Sequence, residues 1–462
     1  MIISLLLLAF IILVIFGFPI AMVLLFLAVL PNLINPWFPA DPQYIIRAMI
    51  SGVNSFPLMA VPMFILSGHI MAKGKISDKI FNFFSYFIAE KKAGIPITCV
   101  VTCLFYGAIS GSGPATVAAV GSMTIPLMEK IGYEKNYAAA LVACAGGLGV
   151  IIPPSIPLIF YGQSSGLSVS DLFIGGILPG LLLGFLLIIY AYFYDLKKGQ
   201  DRKKLILYSQ EIKNRGLKNL FKESFFALLL PVIILGSIYR GIASPTEAAV
   251  ISVFYSLFIS MFIYKTINLR DMKEVLISSV SSYCNVLFII AAATGFARIL
   301  TFLKTTEIVG NVIASSITSK VALLIFINVF LLLVGMVMDT TPAILILTPL
   351  FLPIIKTFSI DPIYFGVMMV VNLAIGFVTP PLGVNLFVAS SLAEVSLDQL
   401  IKRVIPFIGV FLFGLLLITA FPQISLLFLG DWYEKNYYKL YCYNVTIKPN
   451  FMFTNGQQEK KP

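Results

Sequence analysis

The sequence predicts an all-α polytopic membrane protein made of two inverted repeats, each with a re-entrant helical hairpin and a broken transmembrane helix. Three observations carry this reading. Of 462 residues, 59% are hydrophobic and 11% charged, more apolar surface than a soluble fold can hide, so lipid must be the solvent. Four apolar stretches are interrupted near their middles by polar or proline-rich turns. The Gly and Pro punctuation of the first half then recurs in the second at a constant offset.

Taken in order, the opening run 2–30 lacks the basic start and small-residue cleavage site of a signal peptide and is read as one retained helix. Further spans are expected at 44–72, 137–163, 172–195, 224–239, 247–264, 275–300, 362–391 and 401–429. Residues 76–89, apolar but carrying Asp78, Lys79 and Asn82, predict an interfacial amphipathic helix. The stretches 97–128 and 320–355 are broken by Ser110-Gly111-Ser112-Gly113-Pro114 and by Asp339-Thr340-Thr341-Pro342. Unpaired backbone groups cost several kcal/mol each in hydrocarbon, so these read as hairpins whose tips sit inside protein. Segments 137–163 and 362–391 are stopped at Gly147 through Pro153-Pro154 and at Gly376 through Pro380-Pro381. Paired prolines remove backbone donors, which makes both segments discontinuous helices.

The copies align by subtraction. Pro126 with Pro353, Tyr137 with Tyr364, Gly149 with Gly376, Pro153 with Pro380, Asp171 with Asp398 and Pro179 with Pro406 are all 227 residues apart, as are Gly68 and Gly295. The tips, Gly107 with Gly335 and Pro114 with Pro342, need one residue more. Five crossings separate equivalent points when 224–239 is taken as an extra helix, and an odd number inverts the second copy. The resulting division is scaffold helices 1–72, an amphipathic connector 73–96, transport repeat 97–171, scaffold helices 172–300 with a basic loop 196–223, transport repeat 301–395, a C-terminal helix 396–430 and a disordered polar tail 431–462.

The net charge of +11 does not indicate nucleic acid, because most basic residues lie in short connections, where they set orientation. Lys197 through Lys222 crowd one connection and Lys73, Lys75, Lys79, Lys91 and Lys92 another, whereas 31–43 and 164–171 hold no Lys or Arg. The amino terminus is therefore expected inside and the carboxyl terminus outside. Cys99, Cys103, Cys144 and Cys284 lie in apolar segments and Cys442 in the tail, so they read as packing residues rather than a disulfide or zinc framework.

Backbone carbonyls released at the tips and helix breaks can turn toward a cation, and hard cations prefer oxygen. One candidate sodium site uses Ser110 with carbonyls of Gly149 and Ile152; its symmetry mate uses Asp339 or Thr340 with Gly376 and Thr379. Between the tips, free N–H groups and hydroxyls suit an anion, with Ser110, Ser112, Thr116 and Ser155 as candidates. The competing reading is that glycine and proline simply permit close packing and that a serine back-bonds its own helix. Asp339 is the sharpest intramembrane charge, either functional or a helix cap. Glu247 reads as a complement to a helix dipole and Arg298 as a snorkelling residue. An intramembrane serine hydrolase would need a base, and the chain has only His69. No Gly-x-x-x-x-Gly-Lys-Ser/Thr phosphate loop occurs, and no cofactor is expected.

The runs Ser110-Gly-Ser-Gly-Pro-Ala-Thr-Val-Ala-Ala-Val-Gly121, Gly149-Val-Ile-Ile-Pro-Pro-Ser155, Ser244-Pro-Thr-Glu-Ala-Ala249 and Asn372-Leu-Ala-Ile-Gly-Phe-Val-Thr-Pro-Pro-Leu-Gly383 resemble, in order over about 1–429, the large membrane subunit of TRAP (tripartite ATP-independent periplasmic) transporters. The resemblance implies sodium-coupled uptake by an elevator movement in a bacterial inner membrane. It also implies a periplasmic substrate-binding protein and a small membrane subunit, expected here as a separate polypeptide. The tip Gly113-Pro114-Ala115-Thr116 is similar to sialic-acid carriers of the family, in which serines matching Ser110 and Ser155 line the substrate site. C4-dicarboxylates or other sugar acids come next. A stand-alone carboxylate carrier, a proton-coupled version and a channel are the other membrane readings. The tail 431–462 departs from the family pattern and is assigned no function.

Overall fold

The computed structural model describes residues 2–35, 37–198, 201–317 and 319–430, and among these no strand occurs. The tail expected to be disordered, with Cys442, lies outside the described residues.

The run 2–30 is not one helix. It divides into α1 (Ile2–Ile15) and α2 (Ile20–Ile34), because Gly17 takes the left-handed φ of 77° and Pro19 cannot donate a helical hydrogen bond. The span expected at 44–72 is bent by 62° between α3 (Pro42–Val53) and α4 (Ala60–Lys73), around a 3-10 turn opening at Pro57. The amphipathic α5 (Ile76–Ile88) leads to the first hairpin, α6 (Gly94–Ser110) and α7 (Gly113–Ile131). The first broken helix is α8 (Lys135–Gly147) and α9 (Ile156–Ser165), followed by α10 (Val169–Lys198).

The basic connection 196–223 is not simply a loop, since it contains α11 (Arg202–Asn214), started by Asp201 accepting from the N–H groups of Lys203 and Lys204. Then come α12 (Leu217–Tyr239), α13 (Pro245–Phe258, running on as a π turn to Ile263), α14 (Leu269–Phe302) and α15 (Thr305–Ser316). The second hairpin is α16 (Lys320–Val337) and α17 (Thr340–Thr357), the second broken helix α18 (Pro362–Gly376) and α19 (Val384–Ala393), and α20 (Leu397–Ala420) follows.

With these bounds the 227-residue offset extends over nearly the whole described chain. It carries α1 and α2 onto α12 and α13, α5 onto α15, and α10 onto α20. The helix treated as an extra crossing, α12, is thus the counterpart of α1, and the odd crossing number is unchanged; the amino-terminal expectation is not, because α1, α2 and α3–α4 taken as three crossings put the amino terminus on the side opposite the basic connection after α4. The bent pair α3–α4 maps onto the single uninterrupted α14, in which Cys284 stands where the turn before α4 has Pro57. One proline therefore distinguishes the two copies at this point.

Among the described residues, seven helices are long and apolar enough to cross a membrane, with the bent α3–α4 pair as an eighth. Large side chains such as Phe185, Phe254, Leu333 and Leu416 are more than half exposed, as expected of surfaces facing lipid. By contrast, α18 and all of α8 from Tyr137 onward are buried throughout, so the broken helices form the centre. The copies interlock there: α7 packs on α19 of the other repeat, and α17 packs on α9. Helices α4 and α14 close one side, α4 against α6 and α14 against α17.

Candidate functional site

Each tip is built by a local stop signal. At the first, α6 ends where Gly111 takes φ of 60° and its N–H bonds the Gly107 carbonyl. A side chain at Gly111 would also meet the Pro154 carbonyl oxygen at 2.8 Å. Pro114 then sits in the first turn of α7, where its missing N–H costs nothing. At the second tip Asp339 caps α17, its carboxylate accepting from the Thr340 N–H at 2.6 Å and the Thr340 hydroxyl at 3.3 Å.

The hairpins are fastened to the broken helices by backbone. The Ile156 N–H reaches the Gly111 carbonyl at 3.4 Å, and the Leu382 N–H the Met336 carbonyl at 3.1 Å. Behind each tip, glycine lies on glycine. A Cβ on Gly107 would stand 2.6 Å from the Gly149 Cα, and one on Gly376 would stand 2.3 Å from the Gly335 carbonyl oxygen. No other residue fits at these two approaches. Pro153-Pro154 and Pro380-Pro381 are both cis.

A cavity of about 360 Å³ lies between the two tips and the α4–α14 wall, within the range of small-molecule sites, about 300–1,000 Å³. Of the residues proposed from sequence, it brings together Ser110, Ser112, Asp339 and Thr340. The others lie behind this lining. Thr116 is fully buried; its hydroxyl donates to the Ser112 carbonyl at 2.8 Å and lies 3.0 Å from Ser110 Oγ. Ser155 is fully buried as the cap of α9, its hydroxyl donating to the Val150 carbonyl and accepting from the Leu158 N–H. Gly149 packs against Gly107, and the Ile152 N–H bonds the Leu148 carbonyl. Gly376 accepts from the Thr379 N–H at 3.1 Å, while the Thr379 hydroxyl donates to Ile375 at 2.7 Å.

Asp339 is the one carboxylate among the lining residues, and no Lys or Arg accompanies it. The first turns of α7 and α17 supply N–H groups nearby, and hydroxyls come from Ser110, Ser112, Thr340 and Thr341. This set can receive an oxyanion by hydrogen bonds, but it offers no fixed positive side chain to balance it.

Sequence reasoning did not place His69 and Ser282 in this cavity, yet both line it. The ring does not serve a tip serine: His69 Nε2 lies 3.4 Å from Ser282 Oγ. The hydrolase alternative therefore has no base set beside Ser110. Asn385 was also missed. It is fully buried, its Nδ2 donates to the Ala143 carbonyl of the other repeat at 3.0 Å, and it lies against Gly113 at the first tip. A polar residue inside the apolar run Val384–Ala393 was the available signal.

Comparison with known proteins bears on this architecture. The family model described as "Tripartite ATP-independent periplasmic transporter, DctM component" matches residues 7–424. The isethionate TRAP transporter permease protein DctMQ of Oleidesulfovibrio alaskensis is 42% identical over 391 residues, which cover 84% of this chain and 60% of that relative. The chain thus spans three-fifths of its length. The C4-dicarboxylate TRAP transporter large permease protein DctM of Pseudomonas aeruginosa is 38% identical, over 80% of this chain and 86% of its own. The crystal structure of the Alcanivorax borkumensis YdaH transporter has a similar fold, with a TM-score of 0.56 at 15% identity over 89% of this chain and 98% of that one.

Proposed function

Since the chain belongs to the family of DctM components of tripartite ATP-independent periplasmic transporters, we propose that it carries a small organic anion into the cell, driven by sodium. The observation that carries this reading is the cavity between the tips: hydroxyls and helix N-termini face an acidic residue, Asp339, with no lining Lys or Arg. A solute anion placed there adds negative charge to negative charge in a low dielectric, which is costly unless cations enter with it. Sodium held by oxygens at the two tips supplies that charge and ties ion to solute. The ligands we propose remain Ser110 with the Gly149 and Ile152 carbonyls, and Asp339 or Thr340 with Gly376 and Thr379. Ser112, Thr116 and Ser155 would then support the solute end, the last two from behind the lining.

Movement would be of the elevator kind, with the hairpins and broken helices travelling against other helices of the bundle. A substrate-binding protein on the periplasmic side and a separate small membrane subunit complete the proposed assembly in the inner membrane. N-acetylneuraminate is the first solute to test, from the form of the first tip. A second reading, a smaller carboxylate or sulfonate, is favoured by the modest cavity and by relatives named for C4-dicarboxylates and isethionate.

The test is uptake of labelled N-acetylneuraminate, succinate and isethionate into proteoliposomes holding the chain with its small subunit, with matched binding protein, in the presence and absence of an inward sodium gradient. Uptake of one anion that requires both sodium and binding protein is expected. Sodium-dependent uptake without binding protein supports a stand-alone carrier, and unsaturable flux indifferent to sodium supports a channel.

A further inference from the structure

Resting on that reading, we propose that His69 and Ser282, on the α4 and α14 faces that line the cavity, form a second polar wall of the solute site, and that this wall decides which anion the cavity retains. The placement is regular. Ile65, Gly68, His69 and Ala72 all line the cavity, the i, i+3, i+4, i+7 positions of one α4 face, and Ser282 with Val286 does the same on α14. His69 and Ser282 are the polar side chains on those two faces, where Ile65, Ala72 and Val286 would otherwise present only hydrocarbon.

The hydrogen bonding leaves the ring with capacity to spare. The Ser282 hydroxyl donates to the Ser278 carbonyl at 2.9 Å, which uses its single proton, so toward His69 Nε2 at 3.4 Å the oxygen can only accept. Nε2 therefore carries the hydrogen of this pair. Nδ1 has no protein partner among the described residues, and the half-buried ring borders the cavity. Were the pair only structural, the bond would close its polar inventory; instead it is long and leaves one ring nitrogen open. An anion held by its charged end at the tips presents a remaining hydroxyl or N–H donor to this wall, where Nδ1, the ring nitrogen without hydrogen, accepts it. A site built to hydrogen-bond such a group rejects analogues that lack it more strongly than an apolar wall can.

The experiment uses the full chain with its small subunit, carrying His69→Cys or, separately, Ser282→Cys. Exposed Cys284 and the tail's Cys442 are changed to serine, while buried Cys99, Cys103 and Cys144 stay. Labelling by 2-sulfonatoethyl methanethiosulfonate is followed in sodium with and without N-acetylneuraminate, succinate or isethionate. One anion is expected to slow labelling at both positions about tenfold when present at about ten times its dissociation constant. Labelling indifferent to all three anions, or absent at both positions, overturns the proposal. Protection combined with no uptake by the unsubstituted chain overturns the transport reading and leaves the site standing. In uptake, His69→Ala should raise KM about tenfold with little change in kcat and alter the order of preference among the anions, and His69→Gln should recover part of it. An unchanged KM and order also overturn the assignment.

Discussion

Two kinds of residue decide the site, and they make different predictions. Asp339 is a capping residue in this structure, since Thr340 takes its carboxylate, and it also faces the cavity. A cap role and an ion role separate on Asp339→Asn, because asparagine caps as well as aspartate but carries no charge. If Asp339 belongs to the sodium chemistry, the concentration of sodium giving half-maximal uptake rises about tenfold or more while the amount of folded protein holds. An unchanged sodium dependence would leave only the cap. The glycines act by having no side chain. Gly376→Ala places a methyl 2.3 Å from the Gly335 carbonyl oxygen, whereas Gly236 on α12 has nothing within 4 Å of a new Cβ. Overpacking of about 1–3 kcal/mol is expected at the first and a neutral or slightly favourable helix effect at the second. Thermal unfolding in detergent measures both, and equal melting shifts would refute the contact. These glycines were legible from sequence as break points; their partners were not, because a linear pattern names a turn without saying what approaches it.

Single elements show where periodicity stops being informative. The hairpins and broken helices could be read because Ser-Gly-Ser-Gly-Pro, Asp-Thr-Thr-Pro and paired prolines interrupt long apolar runs. The division between α1 and α2 was hidden because Gly17 and Pro19 sit in a run that stays apolar on both sides. α11 was hidden by its charge, and α15 by its shortness, although the offset from α5 would have located it. Facing was hidden for a further reason: in a lipid-bathed helix both sides are apolar, so nothing marked His69 as directed at a cavity rather than at a neighbouring helix. The basic connection offers a test of an element's docking. α11 is held to the end of α5 by Glu90, which takes a hydrogen bond from Ser209 at 2.7 Å and pairs with Lys213. Lys213, then Ser209, hold the Glu90 carboxyl below the usual value of 4.5. A depressed carboxylate gives docking that is present above pH 4.5 and lost as pH falls through its lower folded value. Proteolytic cleavage between 196 and 223 should therefore increase below pH 4.5, and Glu90→Gln should show the acid pattern at neutral pH. Cleavage indifferent to both changes would remove Glu90 from the account.

For the molecule as a whole, the interlock of repeats matters more than either copy. Because α7 packs on α19 and α17 on α9, neither hairpin can shift without the other repeat's broken helix. Spin labels on α7 and α19 should keep a fixed separation between sodium-free and solute-loaded samples, while distances from either to α13 change. The reverse pattern would be incompatible with elevator movement. The inverted duplication was readable from glycine and proline alone, but its asymmetry was not: α3–α4 is bent at the turn opening on Pro57 where α14 runs uninterrupted, and α4 and α14 line the cavity together. The contacts of Gly107 with Gly149 and of Gly335 with Gly376 carry a last consequence. Main chain rests on main chain there, so no rotamer exists to absorb a displacement and no methyl group to cushion it. Order imposed on a tip should pass directly into the centre of the bundle. Amide hydrogens in α8 and α18 should then exchange more slowly with deuterium when sodium is added, even though neither helix borders the cavity.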